Sequence, residues 1–181
     1  MSSESIVSDS TLILISSDNV KFNISREAAS ISKLLTIVTN NSSNYDDDGS
    51  DDEMEETHNV LEIPNLQVNS SVLGIIVDFM NFYQQNVMPE IEQPLPHREK
   101  FVEDLGHDFY REYTKKSITK LLPICDAANF MQIEPLLNLT CASLGSFMKG
   151  KTPSQLATLF GINKKEVIDS PVPAKIARTS K

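Results

Sequence analysis

Cysteine is scarce in this sequence of 181 residues, which contains Cys125 and Cys141 and no others. Two cysteines cannot build a disulfide scaffold, and their spacing matches no zinc-binding pattern. Both lie in segments whose apolar pattern is helical, so we expect two small buried side chains of the core. This use of cysteine is typical of a protein in a reducing, intracellular environment.

Long apolar runs and a basic leader are also lacking. The apolar run 12–15 is too short to span a bilayer or to form the core of a signal peptide. Residues 1–10 are rich in serine, and we expect them to be disordered. Glycine and proline number 15 together and 40% of residues are hydrophobic, which excludes collagen-like, coiled-coil and wholly disordered chains. We expect about one domain, in the cytoplasm and nucleus, without membrane contact.

Basic residues are outnumbered, with 16 Lys and Arg against 25 Asp and Glu and a formal net charge of −9. A general nucleic-acid binder needs a basic face, so no nucleic-acid partner is expected. Eight of the acids lie in residues 46–56, and without them 17 acids face 16 bases. From Lys149 onward the chain carries seven bases and two acids. The acids are therefore concentrated in one run and the excess bases at one end.

The first part of the chain has the pattern of a β-hairpin. Two β-rich runs, residues 11–15 and 20–24, flank the turn-forming residues 16–19. Ser25 is placed to cap a helix that continues to about Val38. A third short strand is expected at residues 60–63, because Pro64 ends it.

Helices are predicted for most of the remaining chain. The clearest begins at a cap on Ser70 or Ser71, ends near Gln85 and is apolar on two sides, which is typical of a central helix. Further helices are expected from Ser117 to about Met131 and from Pro135 to about Lys149, the first of them either kinked by Pro123 or starting late because of it. A short helix follows, with a capping box formed by Thr152 and Gln155. Residues 86–116 are expected to be a polar linker with a short helical turn.

Residues 145–152 satisfy the P-loop pattern, with glycines at Gly145 and Gly150 followed by Lys151 and Thr152. A P-loop needs a strand before it, so that the glycine-rich turn leads into a helix N-terminus that holds phosphate. Here the preceding residues have a helical pattern. We therefore favour a joint between two helices, with a nucleotide-binding protein as the alternative.

No catalytic, cofactor or metal residues are predicted. The histidines His58, His97 and His107 lie in polar segments without cysteine or acid partners at ligand spacing, which is typical of surface residues. No nucleophile-elbow motif or paired-acid motif is present. We expect a protein that is not an enzyme and that carries no cofactor.

The C-terminal helices are too short to enclose a core of their own. Their apolar side chains either fold back onto the main body or form an apolar groove that needs a partner, and we favour the groove. Their principal members are Leu144, Met148, Leu156, Leu159, Phe160 and Ile162.

Five local motifs, taken in order, resemble the Skp family, the adaptors of SCF ubiquitin ligases. They cover about residues 12–163. They are the segment 14–22, the acidic loop followed by 63–65, the sequence Ala127-Ala-Asn-Phe130, the sequence Pro135-Leu-Leu with Thr140-Cys141, and Lys149-Gly-Lys-Thr-Pro153. The chain lacks the Trp before the late helix and the Trp-bearing terminal helix of that family, and a basic tail at 164–181 stands in place of the latter.

The resemblance implies an α/β (α+β) fold: a BTB/POZ-type three-stranded sheet with flanking helices, followed by a C-terminal helical extension. It implies a BTB/POZ-like domain at 11–139, with an acidic loop at 40–59, and dimerisation helices for F-box binding at 140–163. The expected partners are a cullin scaffold and F-box proteins. By position, the resemblance assigns cullin binding to Asn129 and Phe130. It assigns F-box binding to Leu144, Met148, Leu156, Phe160 and Ile162.

The function implied is a non-enzymatic adaptor that bridges a cullin and a substrate receptor. Two related alternatives stay open. Elongin C shares the Ile-Ser-Ser-Asp and Ala-Ala-Asn-Phe motifs but ends before Lys-Gly-Lys-Thr-Pro, and a BTB module that associates with itself would need no other partner.

Overall fold

A computed structural model describes residues 11–42, 60–62 and 68–162. The expected disordered N-terminus at 1–10, most of the acidic loop and the basic tail at 164–181 lie outside these residues. Within them, 11 helices and strands follow one another, and the predicted mixed α+β class is confirmed.

The sheet is built around the predicted hairpin. Strand β1 (Thr11–Ile15) pairs antiparallel with β2 (Lys21–Ser25) and parallel with β3 (Val60–Glu62), so the order is β2-β1-β3. Leu12 and Leu14 are buried and their neighbours are half-buried, as expected of a strand with one face on the core. Asn19 has φ of 61°, a left-handed conformation that asparagine tolerates in a turn.

The helix predicted from Ser25 to Val38 is two helices. Ser25 does cap the first, α1 (Arg26–Ala29), by accepting a hydrogen bond from the Ala28 N–H. The second, α2 (Lys33–Ser42), begins after Ser32, whose hydroxyl accepts from the Leu35 N–H at 3.2 Å. A serine side chain can take the place of a backbone group as a hydrogen-bond partner. At Ser32 it does so for the Leu35 N–H, and a new helix begins after it. Because α2 continues to Ser42, the predicted loop at 40–59 begins inside a helix.

The central helix is α3 (Ser70–Gln85), with the predicted end. Its cap is Asn69, not Ser70 or Ser71, because the Asn69 side chain accepts from the Val72 N–H at 3.1 Å. It packs against α1, β2 and α6. The fully or largely buried side chains are Leu73, Ile76, Val77, Phe79 and Met80.

The expected polar linker at 86–116 is a folded part of the structure. It contains two helices, α4 (Arg98–Asp104) and α5 (Asp108–Lys115). Tyr110 and Tyr113 are buried against Phe79, with ring centroids 5.9 Å from it in both cases. The segment is polar in composition, but it contributes two large aromatic side chains to the core. Its many charged residues gave no indication of this packing.

Helix α6 (Ile118–Phe130) begins directly after Ser117, as predicted, and includes Pro123 in its interior, so of the two alternatives the late start is wrong. Pro123 lies on the exposed face. Helix α7 (Glu134–Met148) follows, and Gly150, with φ of 77°, comes shortly after its end. Arg98 holds α7 through a hydrogen bond of 2.9 Å to the Ser146 hydroxyl and lies 4.2 Å from the Phe147 ring.

The prediction that both cysteines are buried is wrong. Cys125 is half-buried and Cys141 is exposed. The buried face of α6 passes through Ile124 and Ala127, and that of α7 through Thr140 and Ser143, so each cysteine lies beside a core-facing position.

The described chain falls into two compact units, the first ending at Phe147 and the second beginning at Met148. The second contains α8 (Pro153–Leu159). No helix among the described residues is long and apolar enough to cross a membrane.

Candidate protein-interaction surfaces

The C-terminal end of α6 presents a polar and an aromatic side chain to solvent. Asn129 is exposed, and Phe130 is 41% exposed. The preceding Ala127 and Ala128 and the following Met131 are buried, so this turn of helix is anchored on its inner side. Aromatic side chains are enriched among the residues that anchor protein interfaces.

The turn between α6 and α7 is fixed by hydrogen bonds to the backbone. The Ile133 N–H donates to the Ala128 carbonyl at 2.9 Å, and the Ser32 hydroxyl donates to the Met131 carbonyl at 2.6 Å. Lys33 and Glu134 form an ion pair of 3.4 Å, but both side chains are about two-thirds exposed, so water screens it. The position of Asn129 and Phe130 therefore depends mainly on the buried hydrogen bonds.

A second exposed apolar residue lies on the helix that contacts this turn. Ile37 of α2 is 54% exposed, one helical turn after Lys33, which contacts the same α6–α7 turn. It was not among the predicted contact residues. A signal was present, because Ile37 falls outside the helical stripe formed by Leu34, Leu35 and Val38.

Helix α8 has the predicted start. The Thr152 hydroxyl accepts from the Gln155 N–H, and the Gln155 side chain accepts from the Thr152 N–H at 2.9 Å, which completes the capping box. No residue of α8 is buried. A helix of seven residues is too short to be stable by itself in water. It therefore needs to pack against another protein surface.

The predicted F-box residues differ in exposure. Met148 and Phe160 are each 38% exposed, and Ile162 is 46% exposed. Leu156 is half-buried, and Leu144 is buried in α7. Their role in binding stays a prediction.

The P-loop alternative is not supported by the local structure. Gly145 lies inside α7, and Thr152 caps α8, so the segment joins two helices. A phosphate-binding loop instead connects a strand to the helix whose N-terminus it opens. The predicted helix–helix joint is confirmed.

The two histidines that the structure describes lie at the surface. His97 and His107 are exposed as predicted, and the His107 Nδ1 accepts from the Phe109 N–H at the start of α5. His58 lies outside the described residues. Among the residues that the structure describes, no group of three or more His, Cys, Asp or Glu side chains could hold a metal ion.

Comparison with known proteins covers most of the chain. Residues 134–167 match the family model described as the Skp1 family, dimerisation domain. The SCF ubiquitin ligase complex protein SKP1a of Dictyostelium discoideum is 29% identical over 149 residues, which is 82% of each chain. A Skp1-related protein of Caenorhabditis elegans is 29% identical over 147 residues, covering 81% of this chain and 77% of the relative.

A fungal relative agrees with these two. The E3 ubiquitin ligase complex SCF subunit sconC of Aspergillus terreus is 25% identical over 152 residues, or 84% of each chain. The matched dimerisation domain begins with α7 and includes α8, the helix without a buried side chain. Over most of its length this chain is therefore similar to Skp1 and Skp1-related proteins.

Proposed function

We propose that this chain is a non-enzymatic adaptor of an SCF-type ubiquitin ligase that bridges a cullin scaffold and F-box receptors. The observation that carries the proposal is the match of residues 134–167 to a dimerisation domain, over a segment whose α8 buries no side chain. The names of the Dictyostelium and Aspergillus relatives support the same role. Such an adaptor works by proximity, since two proteins held on one scaffold meet at a high effective concentration.

We assign different partners to the first 139 residues and to the helices that follow. We take residues 11–139 as a BTB/POZ-type domain, supported by the mixed sheet in the order β2-β1-β3 and the helices beside it. We take residues 140–163 as the helices that bind the F-box. The adaptor would act in the cytoplasm and nucleus.

Asn129, Phe130 and Ile37 are the proposed cullin contacts. Phe130 and Ile37 are apolar and exposed by 41% and 54%, and a few apolar anchors supply most of the binding energy of a protein interface. Asn129 adds a side chain that donates and accepts hydrogen bonds. Both segments meet at the α6–α7 turn, where the Lys33 N–H donates to the Gln132 carbonyl at 3.5 Å.

Titration calorimetry with a purified cullin N-terminal domain tests this surface. The double variant Asn129→Ala, Phe130→Ala should weaken binding by roughly tenfold or more, because an aromatic anchor is lost. Leu122→Ala is the matched control, since Leu122 is on the same helix and 38% exposed. Its affinity should stay within about twofold of the wild-type value. Equal affinities for all three proteins, or no binding by the wild type, would contradict the proposal.

Hydrogen exchange tests the receptor surface. On co-expression with an F-box peptide, amide exchange of residues 144–162 should slow, because apolar side chains such as Phe160 and Ile162 become covered. The variant Phe160→Ala, Ile162→Ala should lose this protection, whereas Val87→Ala, at a residue 71% exposed elsewhere, should keep it. Unchanged exchange in the wild type would remove the F-box assignment, and a homodimer formed without any partner would favour a self-associating module.

A further inference from the structure

Cys125 on α6 and Cys141 on α7 are neighbours in space. Their sulfur atoms lie 3.7 Å apart, and one thiol donates a hydrogen bond to the other. The two helices are consecutive and joined by the tight turn around Gln132, whose φ is 53°. Two thiols placed in contact by a fixed helical hairpin form a modification site, whereas a single cysteine would not.

We propose that Cys125 and Cys141 form an intramolecular disulfide when the chain meets a low-molecular-weight disulfide such as oxidised glutathione. This inference does not depend on the adaptor role. The sulfur atoms need to approach by about 1.7 Å, from 3.7 Å to the bonded distance of about 2.0 Å. Rotation about the side-chain bonds supplies movement of this size without separating the helices.

An oxidant can reach the pair from solvent. Cys141 is exposed and lines an open cavity of about 680 Å³ between the connection that follows α3 and the first turns of α7. Tyr83, Met88 and Asn138 are among its other lining residues. Cys125 is half-buried behind it. Cys141 is therefore the sulfur that an incoming disulfide meets first.

The exchange proceeds in two steps. The Cys141 thiolate attacks one sulfur of oxidised glutathione, whose S–S bond breaks, and one glutathione thiolate leaves. The Cys125 thiolate then attacks the Cys141 sulfur of the mixed disulfide, which releases the second glutathione. Two protein thiols are oxidised, one glutathione disulfide is reduced to two thiols, and the two protons pass from the cysteines to the departing glutathione molecules.

The surroundings of the two thiols should make the first step of the exchange slow. Partial desolvation of the sulfur, followed by the hydrogen bond between the Cys141 thiol and Cys125, raises the pKa of Cys141 to about 11. Little thiolate is present at neutral pH, so the first step is slow compared with that of a catalytic cysteine. The second step is intramolecular between groups already in contact, so the mixed disulfide should not accumulate.

Peptide mapping of the full chain tests the proposal. Trypsin cuts after Lys120 and Lys149 and leaves both cysteines in one peptide, residues 121–149. After treatment with excess oxidised glutathione, this peptide should lose two hydrogen atoms and resist alkylation. Further cleavage before Asp126 separates the two cysteines in sequence, and the fragments should stay joined until a reductant is added.

Serine variants supply matched controls. In Cys125→Ser the Cys141 thiol should retain a glutathione adduct, because no second thiol resolves it. The oxidised wild type should melt roughly 5–10 °C above the reduced protein, since the cross-link restricts the unfolded chain, and neither Cys125→Ser nor Cys141→Ser should show this rise. Stable adducts on both wild-type cysteines, disulfides between two chains, or unreacted thiols would each overturn the proposal. The mapping of the wild type decides the question even if a variant fails to fold.

Discussion

The side-chain hydroxyl of Ser32 donates a hydrogen bond of 2.6 Å to the main-chain carbonyl of Met131, 99 residues later. Ser32 is completely buried. The same oxygen accepts from the Leu35 N–H, so one side chain both begins α2 and binds it to the α6–α7 turn. That turn follows directly after Asn129 and Phe130, the proposed cullin contacts.

Replacing Ser32 should therefore be costly. Ser32→Ala leaves the buried Met131 carbonyl and the Leu35 N–H without their partner, and we expect a loss of about 1–3 kcal/mol in the free energy of unfolding. Urea denaturation followed by circular dichroism measures this loss. Ser30→Ala is the control, since the Ser30 hydroxyl is exposed and bonds only to the nearby Glu27 carbonyl. Its effect should be below about 0.5 kcal/mol, and equal losses for both variants would contradict the assignment.

Asp18 should make stability depend on pH in the acidic range. The Ser70 hydroxyl and N–H donate to its carboxylate at 2.6 and 2.7 Å. These bonds, led by that from the Ser70 side chain, lower the pKa of Asp18 from 3.8 to about 2. Because the pKa is lower in the folded state, the carboxylate stabilises the fold above its unfolded pKa. That contribution is lost as the pH falls through about 2.

Asp18→Asn should accordingly lower the melting temperature at neutral pH, and the difference from the wild type should shrink between about pH 4 and pH 2. Melting curves over this range test the claim. Ser70→Ala is the companion variant, because it removes one donor and should raise the Asp18 pKa, as followed by NMR titration. A difference between wild type and Asp18→Asn that stays constant with pH would rule out this coupling.

Pro123 should weaken α6. It has no N–H to donate to the carbonyl four residues earlier, and its ring crowds the preceding turn. Pro123→Ala restores the bond at an exposed position, so we expect a gain of about 1–3 kcal/mol, after allowance for the greater freedom of the unfolded chain. Chemical denaturation measures the gain, with Leu122→Ala as the exposed neighbour that should not stabilise. Destabilisation by Pro123→Ala would show that the proline fits this helix without strain.

Local features were predictable wherever the signal lies within one turn of chain. The capping box of Thr152 and Gln155 and the hairpin turn at Asn19 depend on side-chain and backbone bonds between near neighbours, and both are confirmed. The end of α3 at about Gln85 was also predicted, from the apolar pattern of the helix. The order of five short motifs likewise carries the resemblance to the Skp family.

Features that depend on distant residues were not predictable in this way. The break between α1 and α2 lies at Ser32, whose hydroxyl donates a hydrogen bond to the Met131 carbonyl. That partner is distant in sequence, so the residues near Ser32 do not reveal it. The polar composition of residues 86–116 concealed Tyr110 and Tyr113, which become core residues because Phe79 lies against them.

The local patterns of the sequence are enough to place the strongest helices and strands, the concentration of acid in one run, and the resemblance to the Skp family. Only the tertiary structure decided that Cys125 and Cys141 are in contact, that Phe130 and Ile37 are exposed, and that Leu144 is buried. The physical reason is that exposure and contact depend on which surfaces meet when the helices pack. A periodic pattern specifies the apolar side of one helix, but not which other element, if any, covers it.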